Sequence, residues 1–116
     1  MKIGIIVPKD YRLLSIAAIL DVFEAVNRIY IDKGKTPYYE ISLFGADEAD
    51  GNGFHGYPFA SIKTESNPEL ILIPSFSTAD MQQTIGKNAV FIPWLIKQYQ
   101  NGAELGSFCT GAFLLG

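Results

Sequence analysis

Cys109 is the single cysteine of the chain, and it stands in Gly106-Ser107-Phe108-Cys109-Thr110-Gly111, where an apolar strand should turn into a helix. Such a sharp strand-to-helix turn lifts one side chain above the sheet and aims it at the first free amides of the helix, with Gly111 leaving room for the bend. A thiol in that place feels the unpaired amides and the positive end of the helix dipole, which lower its pKa and favour thiolate. A lone cysteine elsewhere is commonly a small buried hydrophobe; this position points instead to a nucleophile or a ligand contact. Thr110 offers the amide that follows the nucleophile, one oxyanion donor in such elbows, and a hydroxyl besides; its plainer role is an ordinary first-turn threonine. A second donor must come from another strand end. Ser75 and Phe76, after Pro74, are the best placed, and Phe76 fits a pocket wall equally well.

Ser15 is the next residue of interest. At about 100° per residue, Asp21, Glu24, Asn27 and Arg28 share one side of the helix that contains them, and Ser15 falls with Ile19, Val22, Val26 and Ile29. A polar group amid apolar neighbours needs a partner, so Ser15 either faces a pocket at the top of the sheet or caps the helix. Glu24 and Arg28 have the i, i+4 spacing of a solvated ion pair. His55, the one histidine, lies in a Gly-rich stretch and reads as surface. One cysteine excludes an internal disulfide, and one histidine with one thiol makes a metal site improbable, so no metal and no cofactor is expected.

These residues need elements to position them. Ile3 to Val7 is a continuous apolar run bounded by Lys2 and Pro8, which predicts a parallel strand buried on both faces and central in its sheet. Leu13 to Asp32 has helical periodicity and ends at Lys33-Gly34, a basic turn followed by a glycine suited to a left-handed cap. Tyr38 to Gly45 predicts a second strand. Ala46 to Pro68 is polar and turn-rich, which suggests a loop or small hairpin arm. Glu69 to Pro74 is another buried strand, Thr78 to Ile85 a short helix, and Asn88 to Asn101 a longer one, with Pro93 in its first turn or kinking it. Ala103 to Phe108 is the last strand. Strands alternating with helices imply a doubly wound parallel α/β sheet in three layers, whose ligands sit at the carboxyl ends of the strands.

The chain has 116 residues, 48% apolar and 18% charged, with a formal charge of -3. That is ordinary globular material of one domain. An acidic balance gives no basic footprint for gripping a phosphate backbone. The N-terminal apolar run is too short for a signal peptide or a membrane span, and with the cysteine usage it suggests a reducing cytoplasm.

The chain resembles the ThiJ/PfpI branch of the class I glutamine amidotransferase-like superfamily, and within it the sensor domain of AraC-type transcription regulators. The resemblance rests on Trp94-Leu95, Gly102-Ala103 and Ser107-Phe108-Cys109-Thr110-Gly111-Ala112-Phe113-Leu114-Leu115, with Leu20-Asp21-Val22-Phe23-Glu24 in the first helix. It implies a flavodoxin-like fold that is incomplete at Gly116, with further strands, a histidine-containing segment and a helix-turn-helix DNA-binding domain expected downstream. Enzymes of the superfamily carry an acid at the position of Ser15 and a glycine pair where Ser75-Phe76 stands. Both departures favour a non-catalytic, ligand-sensing domain whose small-molecule effector touches Ser15, Ser75, Phe76, Cys109 and Thr110, and the apolar circumference of the first helix suggests that it forms a homodimer. DNA would be reached only through the downstream domain. The alternative is a cysteine-dependent hydrolase or hydratase with Cys109 as nucleophile.

Overall fold

The structure is a computed structural model that describes residues 1–9, 11–46, 56–63, 66–76 and 81–108. The apolar run at the N-terminus forms β1 (Lys2–Ile6), and the chain continues through α1 (Leu13–Asp32) and β2 (Glu40–Gly45). There follow β3 (Phe59–Ser61), β4 (Leu70–Ile73), α2 (Met81–Asn88), α3 (Phe91–Gln100) and β5 (Glu104–Ser107). The sheet has the order β3-β2-β1-β4-β5, and every neighbouring pair is parallel. β1 is central, as its two-sided burial requires. Without the short edge strand β3, the order is that of a flavodoxin-like doubly wound sheet.

Strand periodicity divides the core in two. Ile3 and Ile5 join Ile41, Leu43 and Leu72 on the face that α1 covers with Ile16, Ile19 and Leu20. Ile6, Phe44, Ile71 and Ile73 face the other way, under Phe91, Trp94 and Leu95 of α3. There the Phe44 and Trp94 rings lie 5.3 Å apart. Gly4 makes this packing possible, since a Cβ on it would come within 2.9 Å of the Phe44 ring.

Both long helices end at glycines in the left-handed region, Gly34 with φ 76°, where the sequence suggests a cap, and Gly102 with φ 100°. Lysine and glycine at 33 and 34 close α1 through amides turned back to Ile29, Tyr30 and Ile31. Just beyond, the Asn27 carboxamide donates to the Tyr39 carbonyl at 2.9 Å and accepts the Tyr39 amide at 2.8 Å, which fixes how the chain enters β2. Pro93 is the third residue of α3; a first-turn amide has no intrahelical acceptor, so the proline costs nothing there.

Three expectations are corrected. Within the stretch expected to be a loop or small hairpin arm, Phe59–Ser61 form β3, which runs parallel to β2, with Leu43 opposite Phe59. Asn88 ends α2 and does not open α3. The buried side of α1 is Ile16-Ile19-Leu20, while Val22 and Ile29, expected beside Ser15 on the apolar face, are 62% and 53% exposed. α1 is apolar around most of its circumference, and the sheet can seat only one side of it.

Candidate functional site

The carboxyl ends of β1 and β4 lie side by side, and the chain leaves them in opposite directions, β1 toward α1 and β4 toward α2. This is the point where the strand order reverses, the usual ligand crevice of such sheets. The loop after β1 is fixed there by a side chain that gives no sign of its role in the sequence. Asn88, fully buried at the end of α2, accepts the Lys9 amide at 2.6 Å through Oδ1 and donates to the Lys9 carbonyl at 3.0 Å through Nδ2.

The next turn of chain is tied to the end of β4. Tyr11 bridges Phe76 in antiparallel fashion. The Arg12 amide donates to the Ser75 carbonyl at 3.0 Å, and the Ser75 amide donates to Ser15 Oγ at 3.0 Å. Ser15 is therefore no helix cap. It is a tether across 60 residues of sequence that takes up the Ser75 amide, so that amide is not available as an oxyanion donor. Phe76 is fully buried in the core beneath α3. Of the sequence-predicted site residues, the structure thus brings Ser15 and Ser75 into contact and sends the Phe76 side chain inward.

β5 delivers the third strand end. The Phe108 amide donates to the Ile73 carbonyl at 3.0 Å, so Phe108 stands at the top of the sheet next to the end of β4. Cys109, Thr110 and His55 lie outside the described residues. Between the outer flank of α1 and Phe108 runs a groove of about 490 Å³, lined by Arg12, Ser15, Ala18, Val22, Ser75 and Phe108 among others. It opens directly beside the Ser15–Ser75 tether. Periodicity alone did not reveal it, although one signal was readable: Arg12 immediately precedes the helix, where a cation opposes the dipole.

Asp21, Glu24 and Arg28 are exposed on α1, and none of them lines the groove. Glu24 serves Tyr57, whose pKa is pushed up to about 12 by burial, by its hydrogen bond to Glu24, and by the negative charges of Glu24 and Asp21. Among the described residues every buried side-chain nitrogen or oxygen has a hydrogen-bond partner. No group of three or more His, Cys, Asp or Glu side chains in them could hold a metal ion.

The fold and site define an α/β domain of the doubly wound class with a crevice at its switch point, closed on one side by a serine tether and open on the other into an apolar groove. A crystal structure from Vibrio parahaemolyticus, designated a candidate transcriptional regulator protein, matches it with a TM-score of 0.71 and 14% identity. The match covers 99% of this chain and 59% of that one, so the chain spans a little under three-fifths of that protein's length. Such a likeness defines the fold. No known family profile matches the sequence, and no curated protein does. No helix among the described residues is long and apolar enough to cross a membrane.

Proposed function

We propose that the chain belongs to a ligand-sensing domain of a cytoplasmic transcription regulator of the AraC type, related to the ThiJ/PfpI proteins and non-catalytic. The observation that carries this reading is the Ser15–Ser75 hydrogen bond. Turnover at a cysteine elbow needs a base turned on the sulfur and a complete oxyanion site. Position 15 holds a neutral hydroxyl, and the amide at position 75 is spent on it. What remains is a shaped crevice at the strand ends, suited to holding an effector against Ser15, Ser75 and the elbow residues Cys109 and Thr110. The fold shared with the Vibrio protein supports the regulatory side of the reading.

A homodimer belongs to the same reading, drawing on apolar residues that α1 and α3 leave exposed, such as Ile29 and Ile96. DNA contact would fall to a domain beyond this chain. The test is made on the full-length gene product, by fluorescence anisotropy on DNA from upstream of its own gene, with a library of metabolites. Effector-dependent DNA affinity with no amidase, esterase or hydratase turnover is expected. Turnover that disappears in Cys109→Ser would overturn the reading in favour of a cysteine-dependent hydrolase or hydratase.

A further inference from the structure

The groove along α1 has features that the serine tether does not explain. Its volume, about 490 Å³, lies within the usual size of small-molecule pockets. Leu14 at 82% exposed, Val22 at 62% and Phe108 at 43% present hydrocarbon to water around it. Held open in this way, such surface gains free energy from whatever apolar body covers it.

The polar groups gather at one end. Arg12 is the only charged side chain lining the groove among the described residues. It is also the N-cap of α1, a helix that starts with no side-chain cap and no acidic residue in its first turn. A cation at the positive end of a helix raises the local potential, where proteins ordinarily place an anion. Ser15 lies beside it; its oxygen accepts the Ser75 amide, leaving its own hydrogen to donate. From Arg12 to Val22 the helix advances about 15 Å at its standard rise.

From this we infer that the groove binds a small amphipathic anion: a carboxylate held by Arg12 and the Ser15 hydroxyl, with an unbranched hydrocarbon tail laid over Ala18 and Val22 against Phe108. The assignment of this ligand as an effector rests on the sensing reading above, whereas its binding to the groove does not.

Titration calorimetry on the chain with decanoate, and with decyltrimethylammonium as a cation carrying the same tail, tests it at concentrations below micelle formation. Decanoate should bind one per chain, about tenfold more tightly than the cation, as loss of a charge-assisted contact predicts. Arg12→Glu should invert that preference. Ala18→Phe fills the groove from an exposed helix position and should abolish binding of both, with an unchanged circular dichroism spectrum; Val22→Asp, also exposed, should do the same to decanoate. Absence of decanoate binding, equal affinity for the two tails, or binding untouched by Ala18→Phe and Val22→Asp would each overturn the proposal. Decanoate binding as expected, without effect on the DNA affinity of the full-length protein, would keep the groove as a site and remove its role as sensor. Effector-controlled DNA binding without decanoate binding would do the reverse.

Discussion

α3 and α1 cover opposite faces of one sheet and do so differently. α3 has 10 residues and buries Phe91, Trp94, Leu95 and Gln98; α1 has 20 and buries only Ile16, Ile19 and Leu20. Even the polar member of the α3 set is used structurally, since Gln98 Nε2 donates to the Ser66 carbonyl at 3.2 Å. α1 meanwhile leaves Leu13, Leu14, Val22, Ile29 and Ile31 exposed. The α3 face is closed over the sheet as a core, and only Ile96 and Tyr99 of its large apolar residues stay exposed on the outer side. The α1 face buries enough to seat the helix and leaves a second apolar stripe, through Leu14, Val22 and Ile29, exposed.

The contrast predicts a graded response to substitution, read by urea unfolding. The largest effect should come from the closed face: Phe91→Ala empties a fully buried ring site and should cost about 3–5 kcal/mol. Asn88→Ala removes both hydrogen bonds to Lys9 and leaves that backbone poorly satisfied, for about 1–3 kcal/mol; faster hydrogen exchange at the Lys9 amide should accompany it. Ser15→Ala, which deprives the Ser75 amide of its acceptor, should cost about 1 kcal/mol. On the open stripe, Leu14→Ser should change stability by no more than about 0.5 kcal/mol. A cost there comparable to that of Phe91→Ala would mean that the stripe is already covered in solution.

The smallest effect concerns pH at the far edge of α1. Because the folded state holds the Tyr57 proton more tightly than the unfolded state does, its contribution is complete below pH 10 and is lost as pH rises toward about 12. Tyr57→Phe, which removes the hydrogen bond to Glu24, should lower stability slightly near neutrality and flatten the profile over that window, so that the two proteins converge at high pH.

Much of the fold was legible in the sequence because its signals were long or chemically distinct. The run Ile3 to Ile6 could only be a buried strand, and α1 carried twenty residues of periodicity closed by Lys33-Gly34. β3 escaped notice because Phe59-Ala60-Ser61 is too short to show alternation. The side of α1 that is buried was misjudged for a related reason, since periodicity finds apolar stripes and cannot say which of two the sheet will occupy. Within the site, Ser15 stood out as a polar group among hydrocarbon, and its partner proved to be a residue already suspected, Ser75. Asn88 could not be found in this way: an asparagine at a helix end looks ordinary until the fold brings Lys9 to it.

The tether between α1 and β4 is lopsided in what it asks of its two ends. Ser75 contributes only main-chain atoms, its amide to Ser15 and its carbonyl to the Arg12 amide, so nearly any small residue except proline could replace it and keep both bonds. Ser15 contributes a side-chain oxygen at one particular reach. The tether by itself therefore lets position 75 vary among small residues, while position 15 must keep a side-chain oxygen that can accept the amide. A carboxylate there would return charge to the crevice while keeping the tether, so a single substitution separates a neutral pocket from an acidic one.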